Sequence, residues 1–218
     1  MGPGPALRAI REWVFRRPGP LRKTGIGDSI GAMTETFAGK LLVAMPGIGD
    51  PRFDHSVIML CSHNADHAMG VVVNKPKDEL KLGDVLGRLG IASGEETSGL
   101  IVLDGGPVRP DRGYVLHSED FAAGNHTQRV APGIRLTSTR DILVAVAGDS
   151  APARFVLALG CAGWGAGQIE NELKQNAWLV VDASDAIVFA AKHEDKWASA
   201  IRTLGFDPAQ LTGKAGRA

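Results

Sequence analysis

The apolar residues of this chain occur in short runs, and each run ends at Gly, Pro or a polar stretch. Such runs are typical of strands and are too short for a membrane helix, which needs roughly 20 apolar residues. The first three lie at 40–45, 55–61 and 68–74. The polar residues 62–67 separate the last two runs, and this spacing predicts an antiparallel hairpin. The 28 glycines among 218 residues, nearly twice the usual share of about 7%, indicate many tight turns.

The rest of the chain predicts further short strands and a few helices, with the helices mainly in the second half. Strands are predicted at 99–103, 113–117, 154–159, 178–181 and 186–190. Helices are predicted at 82–89, from 138 onward, at 167–176 and at 194–204. Strands in consecutive groups predict an α+β fold, a single domain with a mixed, largely antiparallel sheet, rather than a doubly wound fold.

The charges are distributed unevenly, although 24 basic and 24 acidic residues give zero net charge. Residues 1–33 hold six basic and two acidic residues, which leaves 34–218 with a net charge of −4. A compact acidic domain is a poor partner for phosphate backbones, and no helix-turn-helix pattern is present. We therefore expect no direct DNA binding by residues 34–218.

The basic segment 1–33 is broken by Pro and Gly and lacks the apolar stretch of a secretory signal. We interpret it as a disordered leader, and Met33 is an alternative start of the protein because the regular strand pattern begins directly after it. A short amphipathic helix at 7–17 that lies on a membrane surface is a less favoured alternative to the disordered leader. The predicted organisation is a leader at 1–33 and one domain at 34–218, without membrane association.

Cys61 and Cys161 are the two cysteines of the sequence. Two cysteines without a secretory signal are typical of the reducing cytoplasm, where a structural disulfide is disfavoured. Cys61, His63 and His67 have a metal-ligand spacing at one hairpin turn, but a closed zinc site needs a fourth ligand. Cys61 with His63 as its base would be a nucleophile, but no oxyanion site accompanies the pair. We expect a buried Cys61 and solvated histidines, with no metal site and no catalytic residue.

A glycine-rich stretch at 160–168 follows one predicted strand and precedes a predicted helix. A loop at that place can hold phosphate on free backbone N–H groups, but the spacing matches neither the dinucleotide fingerprint nor a P-loop. The alternatives are nucleotide binding and a tight turn that packs the helix on the sheet. Trp164 within the stretch is either a lid on the core or an exposed contact residue. The charged turn at 104–112 is either an anion site or a solvated loop.

Five blocks of the sequence together resemble the AlgH/YqgE family of bacterial proteins. They are GKLLVAMPGIGDPRFDHSVIMLCSH at 39–63, AMGVVVNKP at 68–76, LDGGPVRPDRGYVLHS at 103–118, GIRLTSTRDIL at 133–143 and LGCAGWGAGQIENELKQNAWLV at 159–180. The resemblance covers residues 37–218 and implies a cytoplasmic α+β domain that is partly barrel-like. It implies no cofactor and no established reaction, and the family carries the label of a transcriptional regulator linked to alginate control.

The resemblance also implies a candidate interaction surface. Its members are Cys61, His63, Gly105, Gly106, Pro107, Trp164, Gly165, Gly167 and Gln168. We expect a non-enzymatic regulatory or adaptor protein that binds a protein partner, and the alternative is a small-molecule or nucleotide binder that uses the loop 160–168. Two positions depart from the family pattern, since Cys161 stands where Tyr is usual and Arg217 stands where His is usual.

Overall fold

Ten short strands form the framework of residues 36–211, the part of the chain that the computed structural model describes. In chain order they are β1 Lys40–Ala44, β2 Val57–His63, β3 His67–Val72, β4 Pro76–Lys81, β5 Ile101–Asp104, β6 Val108–His117, β7 Thr127–Ala131, β8 Ile134–Thr137, β9 Phe155–Gly165 and β10 Trp178–Asp182. The predicted leader 1–33 lies outside the described residues.

Short helices connect these strands and cover the faces of the sheet. The α-helices are α1 Leu82–Arg88, α2 Glu95–Ser98, α3 Arg140–Ala147, α4 Gln168–Lys174 and α5 Lys196–Arg202. A π-helix spans Ala186–Ala190, and 3-10 turns span Pro51–Phe53, Gly124–His126, His193–Asp195 and Pro208–Gln210. Among residues 36–211, no helix combines the length and the apolar character needed to cross a bilayer.

The strands are arranged in the order β10-β1-β2-β3-β9-β6-β8-β7, and each neighbouring pair is antiparallel. β5 runs parallel to β9 on one side and antiparallel to β4 on the other. The sheet curls until β7 approaches β2, where the Gln128 side-chain amide donates to the Cys61 carbonyl at 2.8 Å. This curled sheet with its helices confirms the predicted α+β fold and its partly barrel-like form.

Apolar side chains fill the inside of the curled sheet and cover two areas of its outer face. Met59 and Leu116 belong to the interior cluster, while α1 and α3 pack Leu86 and Ile142 on the outer face of β5, β6 and β9. The helix α4 packs Ile169 over a second outer area on β1, β2, β3 and β9. Burial of each such side chain contributes roughly 1.5–3 kcal/mol, which fixes α4 beside the end of the β2–β3 hairpin.

Two predicted elements differ from the structure. The run 186–190 forms a π-helix rather than a strand, because a five-residue apolar run fits either structure and periodicity alone does not separate them. Residues 160–165 continue β9 rather than form a loop. Three further strands were not predicted. The polar and charged residues of β4 and β7 hide the strand pattern, and the apolar–polar alternation of β8 extends over only four residues.

Candidate functional site

A β-bulge at Cys61 separates the side chains of Cys61 and His63. The residues on either side of Cys61 pair with the consecutive β3 residues Gly70 and Met69, so Cys61 itself has no partner residue. The extra residue reverses the alternation of faces along β2. Cys61 therefore lies in the interior cluster, whereas His63 lies on the outer face beside Glu170. The nucleophile–base pair considered from the sequence is not formed.

The Cys61 thiol is a core group rather than a nucleophile. Its side chain is 2% exposed, and its S–H donates to the Met59 carbonyl. Burial raises the pKa of Cys61 to about 12, because a thiolate loses its hydration in the core. Cys161 is buried as well and both thiols are free. Since β3 lies between their strands, two spacings of about 4.8 Å separate the backbones, more than the roughly 7 Å that a disulfide spans.

Internal hydrogen bonds occupy both ring nitrogens of His63. The Phe37 backbone N–H donates to Nδ1 at 3.1 Å, so the neutral ring carries its proton on Nε2, which donates to Glu170 Oε1 at 3.0 Å. His63 thereby joins residue 37 and α4 to the end of the hairpin, and no nitrogen is left for proton transfer. The prediction of solvated histidines is correct for the exposed His67 and wrong for His63. Residues 36–211 contain no group of three or more side chains suited to a metal ion.

The Gly105-Gly106 pair lies where the turn after β5 crosses β9. A Cβ on Gly105 would lie 2.2 Å from the Gly160 carbonyl oxygen, and one on Gly106 would lie 2.4 Å from the β9 backbone. The peptide groups of Gly105 link β9 and β3 through hydrogen bonds of 2.8 and 3.0 Å. Side chains therefore do not fit here, and the two glycines serve close packing of the backbone, while the adjacent Pro107 is exposed.

The glycine-rich stretch 160–168, for which phosphate binding and a tight turn were the alternatives, continues β9 over most of its length. β9 bends at Gly160, where φ is +79°, and then continues to Gly165 while residues 162–165 pair with β3. Backbone N–H groups engaged in a sheet are not free to bind phosphate. The turn before α4 is reduced to residues 166–167, so nucleotide binding by this loop loses its structural basis.

Trp164 is a lid on the outer core, one of the two alternatives that the sequence left open. Its side chain is 6% exposed, and its indole N–H donates to Glu172 Oε2 at 2.9 Å. The Trp178 indole N–H donates to the same oxygen at 2.7 Å, and the Gln168 amide donates to Glu172 Oε1 at 2.9 Å. The exposed members of the predicted interaction surface are Pro107, Gly165, Gly167 and Gln168.

A groove of about 300 Å³ lies between the first 3-10 turn, the β3–β4 connection and the turn after β5. Its lining residues are Arg52, Phe53, Val72, Lys75, Pro76, Asp104, Gly106 and Pro107. Gly106 and Pro107 belong to the predicted surface, whereas Arg52 and Lys75 do not. The sequence AMGVVVNKP could have indicated Lys75 as a candidate, because it places this residue between a buried strand and a proline.

Hydrogen bonds between the segments hold the walls of the groove in place. Asn74 Oδ1 accepts from the Val57 N–H at 2.8 Å, and Asn74 Nδ2 donates to the His55 carbonyl at 2.8 Å. The Asp104 N–H donates to the Lys75 carbonyl at 2.7 Å. A ligand would therefore meet a preformed groove and would not have to order its walls.

The charges around the groove are paired, with one exception. Arg52 forms a two-pronged ion pair with Asp50, whose pKa it holds below the usual range. Lys77 lies 3.5 Å from Asp104. The Lys75 ammonium donates to a backbone carbonyl of the neighbouring turn, and no carboxylate of residues 36–211 lies within ion-pair distance of it. Lys75 is therefore a cation of the groove without a counter-charge in the described chain.

Comparisons with known proteins agree with this fold. A family model described as AlgH-like matches residues 41–209. A UPF0301 protein of Caulobacter vibrioides is 47% identical over 185 residues, which cover 84% of this chain and 95% of that protein. A UPF0301 protein of Ruegeria pomeroyi is 48% identical over 183 residues, which cover 84% of this chain and 99% of that protein.

Two solved structures share the curled sheet. The solution structure of the AlgH protein from Pseudomonas aeruginosa matches with a TM-score of 0.70 and 34% identity, covering 87% of this chain and 100% of that one. A Corynebacterium diphtheriae protein, known from a crystal structure, matches with a TM-score of 0.61 and 20% identity over 80% of this chain and 88% of that one. The second match shows the fold alone. The family model, the relatives and the first structure confirm the resemblance seen in the sequence, and this chain belongs to the AlgH-like family.

Proposed function

We propose that this protein acts in the cytoplasm as a non-enzymatic regulator or adaptor that binds another protein through the groove. The observation that carries the proposal is the unpaired charge of Lys75 in a preformed groove. An acidic side chain of a partner would supply the missing counter-charge and gain a charge-assisted hydrogen bond. The exposed rings of Pro76 and Pro107 provide apolar surface beside this charge.

The size of the groove supports an extended segment of a partner rather than an enclosed small molecule. Pockets for small molecules have volumes of roughly 300–1,000 Å³ and enclose most of the ligand. This groove has about 300 Å³, at the lower end of that range, and it lies between two surface turns and a strand connection. A few residues of an extended chain fit such a shape, with one acidic side chain directed at Lys75.

The internal roles of the reactive side chains support a binding function over catalysis. The Cys61 thiol is buried with a raised pKa, and both nitrogens of His63 are occupied. The charge of −4 on residues 34–218 argues for a protein partner rather than DNA. Two free, buried thiols are compatible with the reducing cytoplasm.

A photoreactive amino acid at position 107 of the full chain tests the proposal in cells. We expect it to cross-link a partner protein that the same group at Glu96, exposed on α2, does not capture. The substitution Lys75→Glu should reduce this cross-link about tenfold or more, because it places like charges opposite each other. Arg88→Glu is the matched control, since Arg88 is an exposed cation on α1 that does not line the groove.

The outcomes separate the hypotheses. Equal cross-linking from positions 107 and 96, or a cross-link that persists in Lys75→Glu, would overturn the proposal. A product that disappears after nuclease treatment would point to nucleic acid instead. Thermal unfolding of each variant, compared with the original chain, shows whether a lost cross-link reflects loss of folding.

A further inference from the structure

The strand β6 carries a four-residue bulge beside the bend of β9. Between two paired positions β6 advances five residues while β9 advances two, so residues 109–112 lie outside the regular ladder. Arg109 in this bulge has a φ of 50°, a left-handed conformation that residues other than glycine rarely adopt. Bulges redirect side chains and are frequent beside binding sites.

The bulge directs the Arg112 guanidinium over the Tyr114 ring, with its central carbon 5.6 Å from the ring centroid. Arg112 Nη2 donates to Ser138 Oγ at 3.1 Å, while Nε is buried and has no hydrogen-bond partner. No carboxylate of residues 36–211 forms an ion pair with Arg112 or Arg109. A buried guanidinium N–H without an acceptor is costly, so this group is suited to an acceptor from outside the chain.

Tyr114 and Ser138, which contact the guanidinium, bring further donors to this region. The Tyr114 hydroxyl accepts the S–H of Cys161 at 3.6 Å, and its own proton has no acceptor among residues 36–211. Ser138 lies just before α3, whose first-turn N–H groups have no side-chain cap. Burial raises the pKa of Cys161, while Arg109 and Arg112 lower it, which indicates that both positive charges act on this place.

Two carboxylates lie nearby without neutralising the arginines. Asp111 belongs to the bulge and forms no ion pair with residues 36–211. Asp141 is exposed in the first turn of α3 and accepts from the Thr139 hydroxyl at 3.0 Å. Neither arginine therefore has an ion-pair partner among residues 36–211, and Arg112 keeps a buried donor without an acceptor.

We propose that Arg112, Ser138 and Tyr114 form a binding site for a small oxyanion, either a carboxylate or a phosphate group. The anion accepts the Arg112 Nε–H and an adjacent Nη–H in the two-pronged geometry that arginine offers to both groups. Arg112 and Ser138 are partly exposed, so an anion approaches the guanidinium from solvent, and a shift of the side chain then brings the buried Nε–H to it. None of these residues lines the groove, and the site is independent of the proposed protein contact.

Titration of the full chain with inorganic phosphate, and separately with acetate, at constant ionic strength tests this site. The Nε–H resonance of Arg112 in a nitrogen-15 NMR spectrum reports directly on the unpartnered donor. We expect a saturable shift of this resonance with at least one of the two anions. Arg112→Lys keeps the charge but removes Nε–H, and it should weaken the affinity about tenfold or more, measured by calorimetry.

Arg129→Gln is the matched control, because Arg129 is an exposed arginine that pairs with Glu119. The affinity of this variant for the anion should equal that of the original chain. Saturation with phosphate alone assigns a phosphate group, and saturation with acetate alone assigns a carboxylate. A response no larger than that to chloride would overturn the proposal, as would equal affinities of the original chain and Arg112→Lys. The resonance is measured on the unmodified chain, so the test does not depend on the folding of a variant.

Discussion

Lys196 is a fully buried lysine whose charge should make stability depend on pH. Its side chain is 0% exposed, and its ammonium donates to the carbonyls of Val73 at 3.0 Å and Val188 at 2.6 Å. No carboxylate of residues 36–211 forms an ion pair with it. Burial therefore lowers the pKa of Lys196 from 10.5 to about 8, since the charged form loses its hydration.

The lowered pKa of Lys196 fixes both the sign and the size of the effect. Between pH 8 and 10.5 the unfolded chain binds more protons at this residue than the folded chain, so stability rises with pH. The pKa of Lys196 is about 8 in the folded chain and 10.5 as the ordinary value. Since one pKa unit corresponds to roughly 1.4 kcal/mol, this difference destabilises the folded state by about 3 kcal/mol at pH values below 8. Between pH 7.5 and 9 about 1 kcal/mol of this cost is recovered.

The buried thiols oppose this effect at higher pH. The pKa of Cys61 is raised from 9.0 to about 12, so the folded chain keeps a proton that the unfolded chain loses, and stability falls above pH 9. The pKa values of Cys161 and Tyr114 are raised as well. These groups are present in both the original chain and a Lys196 variant, so their contributions cancel in the difference between the two.

Urea unfolding of the original chain and of Lys196→Met, between pH 7.5 and 9, isolates the lysine. From pH 7.5 to pH 9, the free energy of unfolding of the original chain should rise by about 1 kcal/mol relative to that of the variant. At pH 7.5 the variant loses two hydrogen bonds but also the charge-burial cost, so its stability should lie within about 2 kcal/mol of the original. Lys192→Met is the control at an exposed lysine. Parallel pH profiles for the original chain and Lys196→Met would refute the reasoning.

Three further predictions concern residues with internal roles, and a fourth concerns the exposed Gly87 of α1. Glu172→Gln weakens the hydrogen bonds to two indole N–H groups and should cost about 1–3 kcal/mol in thermal unfolding. Gly106→Ala should abolish folding, judged by circular dichroism, because its Cβ would lie 2.4 Å from the β9 backbone; Gly87→Ala, with nothing within 4 Å, should stabilise α1 by about 0.5–1 kcal/mol. Cys61 and Cys161 should react with a thiol reagent only as fast as the chain unfolds, whereas rapid labelling of the folded chain would contradict their burial.

The sequence predicted the strands that combine an apolar run with clear turn residues. In the interior strands β1 and β2, residues 41–44 and 57–61 are continuously apolar because both faces of these strands are covered there. The edge strand β4 was not predicted, since its charged side chains protect an open sheet edge and hide the alternation. The run 186–190 was misread, because its apolar side chains face the core from a π-helix and a strand would need the same composition.

The arrangement of the candidate residues depended on features that a linear pattern does not carry. One extra residue at Cys61 moves His63 to the other face of the sheet. The residue types around Cys61 do not predict this bulge. Lys75 and Arg52 are ordinary surface residues in the sequence, and they meet only because separate segments converge on the turn after β5. Long-range pairing therefore decided which side chains share a site.

The sequence motifs that identify the family make structural contacts inside the fold. They therefore give little information about catalysis or binding. The stretch around Trp164 preserves an indole–carboxylate contact with Glu172, and the Gly105-Gly106 pair preserves a close approach of two backbones. Such contacts constrain residue types strongly because a wrong group leaves a buried donor unsatisfied or a backbone too close. A contact site on the surface imposes no such requirement on folding. Both proposed sites therefore rest on cations that have no ion-pair partner in residues 36–211, Lys75 in the groove and Arg112 in the bulge of β6.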